Sequence, residues 1–159
     1  MTTVDVGTVF VVGEHSFAVR ESRVETPRSM TVTVTMDGRF EWSFEEPGWR
    51  PMSFGASPDV PYLWSARELI VLPGADVDEL EVVRVDEDLL YVFRVDGGWL
   101  MVCETSVRRV LGGQQTDRIE LGDVVVQVRW SQGVLHLLDE VGVQQRVRVQ
   151  GAGLVVDSA

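Results

Sequence analysis

Strict two-residue alternation is the feature that most constrains the fold of this chain. In TVTVTMDGRFEWSFEE (residues 31–46), Val32, Val34 and Met36 alternate with threonines, and aromatic residues then alternate with charged or small ones. Side chains of a β-strand point to opposite faces in turn, so this pattern predicts two strands that each bury one face. The Asp37-Gly38 pair between them predicts a tight hairpin turn.

The register of this hairpin follows from where its apolar side chains must lie. A two-residue loop places the valines and the aromatic residues on opposite faces, which leaves no apolar face to bury. A three-residue loop over 36–38 instead pairs Thr35 with Arg39 and Val34 with Phe40, with all apolar residues on one face. We therefore predict the three-residue loop, with its glycine at positive φ.

Further pairs of apolar runs flank turn residues along the chain. They are Val9–Val12 with Ser16–Arg20, Leu89–Val95 with Trp99–Glu104, Val124–Trp130 with Val134–Asp139, and Val143–Val149 with Gly153–Val156. The segments LLYVFRV and WLMVC are apolar on both faces, which predicts interior rather than edge strands. Helix signals are weak, and ELIVLP (68–73) is predicted to be a strand.

Two of these hairpins resemble copies of one another. A shift of 35 residues aligns DLLYVFRVDGGWLMVCE with DVVVQVRWSQGVLHLLD and matches Asp88 with Asp123 and Arg94 with Arg129. We predict a single all-β domain over residues 1–159, in which consecutive antiparallel hairpins form a β-sandwich or partly closed barrel. The alternative is a set of propeller-blade-like repeats with a period of about 35 residues.

The charge balance restricts the class of partner. The chain has 25 acidic and 14 basic residues and a net charge of −11. This charge opposes binding to nucleic acid or to an anionic membrane and favours a basic protein partner. The adjacent pair Arg108-Arg109 is the only one of its kind in the sequence, too little for a nucleic-acid surface.

The compartment is inferred from the N-terminus, the hydrophobic runs and the cysteine content. The first residues do not resemble a signal peptide, and the longest aliphatic run is Leu69–Leu72, far short of a membrane span. Cys103 has no second cysteine with which to form an internal disulfide and is predicted to be a buried thiol. We expect a cytoplasmic protein.

No stretch predicts catalysis, a cofactor or a metal. The acidic run at 74–88 lacks the third ligand and the glycine of a calcium loop, because Leu80 and Glu81 occupy those places. His15 is predicted to lie at a turn, and His136 is predicted to be a hydrogen-bonded core residue. No nucleophile elbow, phosphate loop or zinc-type cysteine pair is present. We therefore expect no catalytic residues, no metal and no cofactor.

The segment EEPGWRPMSFGASPDVPYLW (45–64) is the remaining candidate site. Long loops inside compact domains are usually functional or disordered, and aromatic residues at this density favour order. We predict either a proline-stiffened crossover whose aromatic residues plug the core, or a binding surface. The candidate binding residues are Trp49, Arg50, Phe54, Tyr62, Trp64 and Arg67.

Two classes of function remain open from the sequence. The first is a non-catalytic protein-binding module, for instance an inhibitor or immunity-type protein that sequesters a basic partner. The second is an enzyme or small-ligand-binding protein with an aromatic-lined pocket.

Overall fold

The computed structural model describes residues 3–25, 28–47, 52–56, 60–72 and 80–157, and these residues form β-strands, turns and loops without a helix. The strands belong to four antiparallel sheets, in each of which every strand pairs with the next one along the chain. The prediction of an all-β fold built from consecutive hairpins is confirmed. Four-stranded sheets with this strand order also match the blade-like alternative.

The bounds of the strands are as follows. Sheet A contains β1 (Thr3–Val12), β2 (His15–Val24), β3 (Ser29–Met36) and β4 (Phe40–Pro47). Sheet B contains β5 (Ser53–Ala56), β6 (Pro61–Trp64), β7 (Glu68–Val71) and β8 (Glu81–Arg84). Sheet C contains β9 (Leu89–Val95), β10 (Gly98–Cys103), β11 (Ser106–Leu111) and β12 (Gln114–Glu120). Sheet D contains β13 (Val125–Ser131), β14 (Val134–Asp139), β15 (Gln144–Gln150) and β16 (Gly153–Asp157).

The chain divides into two compact units. Unit 1 comprises residues 1–65 and 69–82, and unit 2 comprises residues 66–68 and 83–159. The single domain over 1–159 stays a prediction, as does the crossover role of 45–64, of which 48–51 and 57–59 lie outside the described residues.

The core of unit 1 lies on the apolar face that the alternation predicts. Val32, Val34 and Met36 of β3 are fully buried, and Phe17 and Val19 of β2 join them. Phe40, Trp42 and Phe44 of β4 are partly buried against this cluster, and sheet B contributes Leu63 and Ile70. The predicted single apolar face is therefore confirmed.

The predicted register of the β3–β4 hairpin is wrong by two residues. Met36 lies opposite Phe40 and Val34 opposite Trp42, so the loop contains residues 37–39. A two-residue shift keeps the same face and adds the fully buried Met36 to it, which the predicted loop would have left unpaired. Gly38 has the expected positive φ, 65°.

In unit 2, sheets C and D share one core, with Leu100 and Val102 from sheet C and Leu135, Leu137 and Val147 from sheet D. The interior position of WLMVC is confirmed, since every residue of β10 is buried. The interior position of LLYVFRV is wrong, because this segment is β9 at the edge of sheet C.

Leu90, Phe93 and Val95 of β9 pack against the core shared with sheet D, although β9 has only one neighbouring strand in its own sheet. Phe93 stacks on Trp130 of sheet D with a centroid distance of 5.8 Å. Tyr91, two residues earlier, is 46% exposed. Apolar composition alone therefore does not distinguish an interior strand from an edge strand covered by another sheet.

The repeat is real in the structure, but its spacing is 36 residues. Sheets B, C and D begin at Ser53, Leu89 and Val125, which are 36 residues apart in each case. The two-residue hairpin loops of sheets C and D are Asp96-Gly97 and Gln132-Gly133, with all four residues at positive φ. The 35-residue alignment, which matches Gly98 with Gly133, is therefore wrong by one residue.

Candidate functional site

The structure places the predicted aromatic site residues in sheet B. Tyr62 and Trp64 lie in β6, and their rings stack with a centroid distance of 6.0 Å. Tyr62 is buried, and its ring lies so close to Gly55 that a Cβ there would overlap it. Phe54 lies opposite Leu63 in the register. Trp49 and Arg50 lie outside the described residues.

Arg67, the other described candidate, belongs to unit 2 and is 59% exposed. Its Nε lies 3.7 Å from Asp88 Oδ1, and its Nη1 donates to the Asp86 carbonyl at 3.2 Å. The structure therefore brings Tyr62 and Trp64 together and gives Arg67 acidic neighbours. A role for these residues in binding stays a prediction.

Arg108 and Arg109, the adjacent basic pair, are both buried. Arg108 Nη2 lies 2.5 Å from Asp86 Oδ1 and 3.2 Å from Glu87 Oε2, and Nε donates to Ser106 Oγ at 3.1 Å. Burial raises the pKa of Glu87, but hydrogen bonds from the Thr105 amide and Ser106 and the charge of Arg108 outweigh it and hold that pKa below its usual value.

The second member of the pair, Arg109, is 1% exposed. Its guanidinium donates to the carbonyls of Val95 at 2.8 Å, Gly151 at 3.1 Å and Trp99 at 3.4 Å. Burial lowers the pKa of this arginine. It joins the first hairpin of sheet C to the last hairpin of sheet D, and these contacts are structural.

Cys103 and the acidic run at 74–88 are two further features of the sequence. Cys103 is buried, as predicted, and burial raises the pKa of its thiol to about 11. Of the acidic run, Asp76 and Asp78 lie outside the described residues. Among the residues that are described, no three His, Cys, Asp or Glu side chains are placed to hold a metal ion.

The two histidines differ from one another in setting. His15 follows the β1–β2 turn, and its Nδ1 lies 2.8 Å from Asp37 Oδ2, while the other Asp37 oxygen accepts from the Ser16 amide at 2.8 Å. The core position predicted for His136 is wrong. In β14 the buried face carries Leu135 and Leu137, so His136, between them, lies half-buried on the opposite face.

That opposite face of sheet D contains a groove of about 660 Å³. We call it the basic groove and define it by the side chains that matter for its chemistry: Tyr91, Val126, Gln127, Arg129, His136, Leu138, Gln144 and Arg146. All belong to unit 2. The groove combines basic, amide and apolar side chains on one surface.

A β-bulge directs Arg129 into the groove. Val125 pairs with Asp139 and Gln127 with Leu138, so Val126 is an extra residue in β13. Val125 and Val128 consequently both face the core, whereas Gln127 and Arg129 point outward. A bulge shifts the two-residue alternation by one position, and here it places charge on the outer face.

The basic side chains of the groove form a row across three strands. Arg129 lies opposite His136, and His136 lies opposite Arg146. Adjacent strands are about 4.8 Å apart, so the backbone positions of the row span about 10 Å. The two arginines therefore lie on either side of His136 and not directly opposite one another.

The two arginines of the row have no ion-pair partner within the described part of the chain. Asp157 lies opposite Arg146 in the register, but both of its oxygens accept from Arg148, at 2.7 and 2.8 Å. The hydrogen bond from Arg148 lowers the pKa of Asp157. The charge of Arg146 also lowers this pKa, but within the described residues neither arginine of the row forms an ion pair with a carboxylate.

Sequence reasoning missed the basic groove. In QVRW and QQRVRVQ the arginines alternate with apolar residues, so they lie on the other face of each strand. Their outward orientation was therefore detectable from the sequence. Their grouping was not detectable, because it depends on the cross-strand register and on the bulge at Val126.

Comparisons with known proteins add little. No protein-family model matches the chain, and the search of curated proteins found no match. Among solved structures, the chain is similar to the crystal structure of HIRA(644-1017), with 12% sequence identity and a TM-score of 0.48. The similarity covers 97% of this chain and 52% of the other, so the chain spans about half the length of that structure. We base no functional inference on a similarity at this level.

The described residues also contain no helix that is long and apolar enough to cross a membrane.

Proposed function

We propose that the protein is a non-catalytic binding module whose basic groove binds an anionic group of a partner. The observation that carries the proposal is the row Arg129–His136–Arg146, in which neither arginine has a carboxylate partner in the described chain. Guanidinium groups form strong, often bidentate hydrogen bonds with carboxylates. An anionic ligand would supply the charge that the row lacks.

Several other arginines of the chain do form ion pairs. Acidic residues outnumber basic ones 25 to 14, so carboxylates are abundant. Arg84, Arg108 and Arg148 each lie within 3.0 Å of one, in pairs with Glu68, Asp86 and Asp157. Arg129 and Arg146 lie on β13 and β15, on either side of β14, and an anionic ligand between them would accept charge-assisted hydrogen bonds from both.

The expectations drawn from the sequence stay proposals beside this one. A basic protein partner is supported by the net charge of −11 alone. The aromatic site at Trp49, Tyr62 and Trp64, with small-ligand binding or catalysis as the alternative function, is supported by residue type alone. A cytoplasmic location is supported by a single cysteine that is buried and has no partner for an internal disulfide.

The test is a titration of the ¹⁵N-labelled full chain with succinate, a small dicarboxylate, followed by NMR. We expect saturable shifts of amides in 126–129 and 144–146, which disappear in the double variant Arg129→Gln, Arg146→Gln. The matched control is Arg20→Gln with Arg39→Gln, which removes the same charge from exposed positions of sheet A. Equal binding by both double variants would refute the proposal.

A further inference from the structure

We infer that the ligand of the basic groove is a short acidic peptide segment that carries an apolar residue next to its carboxylates. This inference rests on the proposed function and narrows it to one class of partner. Three features of unit 2 support it: an equivalent row of residues in sheet C that sheet D covers, the amide side chains of the groove, and the apolar surface at one end of the groove. The net charge of the chain is the fourth.

The first feature is an internal precedent in sheet C. Leu100 lies opposite both Phe93 and Arg109, and His136 lies opposite both Arg129 and Arg146. The 36-residue spacing relates Phe93 to Arg129 and Leu100 to His136, so these are equivalent rows in the two sheets. Arg146 lies 37 residues after Arg109, and it holds the equivalent place because each arginine is the next-strand partner of Leu100 or His136.

In sheet C this row is covered by sheet D, and Arg109 donates to the main-chain carbonyl of Gly151 there. The equivalent face of sheet D has no further described sheet of unit 2 against it, and Arg146 has no described hydrogen-bond partner. The position therefore suits a guanidinium that donates to polypeptide, and a peptide would supply carbonyls as well as carboxylates.

The second feature is a row of amides beside the basic row. Gln127 and Gln144 each lie opposite Leu138, and each is two residues from an arginine on the same strand. An amide side chain both donates and accepts hydrogen bonds, as a peptide group does. A phosphate or sulfate ion would use only the donors, so the amides favour a peptide over an inorganic anion.

The third feature is apolar surface at the end of the groove next to β9. Tyr91 is 46% exposed and Val126 is 55% exposed, and Leu138 lies between the two amides. Tyrosine is among the residue types enriched in protein interfaces. A ligand with an apolar side chain beyond its carboxylates would cover this surface.

The fourth feature is the charge of the chain. The net charge of −11 repels an extended polyanion at long range. A short segment with two carboxylates meets less of this repulsion and still satisfies both arginines. In an extended peptide, side chains two residues apart lie on one face, about 7 Å from each other, which long arginine side chains can span.

The experiment measures fluorescence anisotropy of labelled Glu-Ser-Glu-Ser-Leu with the full chain. The controls are Gln-Ser-Gln-Ser-Leu, which lacks the carboxylates, and Glu-Ser-Glu-Ser-Ser, which lacks the apolar residue. We expect the first peptide to bind at least several-fold more tightly than either control. Arg129→Gln and Arg146→Gln should each weaken its binding about tenfold, the effect of losing one charge-assisted hydrogen bond.

Tyr91→Ala provides the readout that separates the inference from the proposed function. It should weaken binding of the leucine peptide several-fold more than it weakens binding of the serine peptide or of succinate. A circular dichroism melt of each variant checks that it is folded, and Arg20→Gln is the matched charge control.

The outcomes differ for the two proposals. If succinate binds through the arginines but neither acidic peptide binds more tightly than succinate, the peptide inference fails and the anion site stands. The inference also fails if inorganic sulfate or a short DNA duplex binds more tightly than the leucine peptide. If neither succinate nor any peptide binds, both proposals fail, and the row is a polar end surface of the repeat.

Discussion

Equivalent faces of sheets C and D have the same strand pairing but different residue types, apolar in sheet C and basic in sheet D. In sheet C, Phe93 and Leu100 lie opposite one another and pack in the core shared with sheet D. In sheet D, Arg129 and His136 occupy the same places on a face that opens into the basic groove. The repeat therefore preserves the strand pairing, whereas the residue types on each face depend on whether another sheet covers that face.

The arginines of the two sheets show the same contrast. Arg108 and Arg109 of sheet C are buried and have hydrogen-bond partners on side chains or on main-chain carbonyls. Arg129 and Arg146 of sheet D are exposed, and neither forms an ion pair with a carboxylate of the described residues. A buried charged group needs hydrogen-bond or charge partners within the fold, whereas an exposed one is solvated and can bind a ligand.

The largest effect is expected from placing the sheet D residue in sheet C. Leu100→His removes a fully buried apolar side chain and buries an imidazole without a partner. We expect a loss of roughly 3–5 kcal/mol in the free energy of unfolding, measured by urea denaturation. The reciprocal variant His136→Leu should stay within about 0.5 kcal/mol of the parent protein. Equal losses of stability in both variants would contradict the contrast between a buried face of sheet C and an open face of sheet D.

The next largest effect is expected from replacing Arg109, and the equivalent replacement of Arg146 is its control. Arg109→Met leaves the carbonyls of Val95, Trp99 and Gly151 without their donor, and we expect a loss of about 2–3 kcal/mol. Arg146→Met changes an exposed residue and should have little effect. Thermal and urea unfolding of both variants provide the measurement, and a larger loss for Arg146→Met would contradict the assignment.

An acid titration separates the paired arginine from the unpaired ones. The folded-state pKa of Glu87 lies below its usual value of 4.5, so its carboxylate stabilises the fold above that pH and loses this contribution as the pH falls further. Glu87→Gln should therefore lower stability at pH 7 and flatten its decline between about pH 5 and 3.

The control for this titration is Arg129→Gln, since that arginine has no described carboxylate partner. It should leave the acid-induced decline in urea midpoint unchanged. A decline that is the same in Glu87→Gln and the parent would show that the Glu87–Arg108 contact contributes nothing.

The smallest effect concerns the stability cost of the basic groove. Arg129→Gln combined with Arg146→Gln removes two like charges that flank His136, so stability should stay equal or rise by less than about 1 kcal/mol. Binding of succinate should be lost in the same variant. A clear loss of stability would mean that the row is structural, and urea denaturation decides between the two outcomes.

Much of the strand pattern could be predicted from the sequence, because alternation reports directly which side chains must be buried. The apolar face that carries Val32 and Val34 was predicted, and so was the interior position of WLMVC. The register failed at Met36, where two loops one step apart satisfy the same alternation and only full burial of the methionine separates them.

The basic groove could not be predicted for a different reason. His136 was assigned to the core because its neighbours at two-residue spacing are apolar, yet these residues, Val134 and Leu138, are only partly buried. The extra residue Val126 changes which side of β13 faces the core, and no local signal marks a bulge there.

By itself, the sequence determined that this chain forms antiparallel hairpins with one apolar face each, that it repeats a hairpin at a spacing near 35 residues, and that it is strongly acidic. These properties are local or additive, so periodicity and composition suffice to establish them. The tertiary structure alone decided that Arg109 is enclosed while Arg146 is open, and that Arg129, His136 and Arg146 lie side by side. Those outcomes depend on which sheet covers which face and on a register across three strands, and neither is encoded within any single strand.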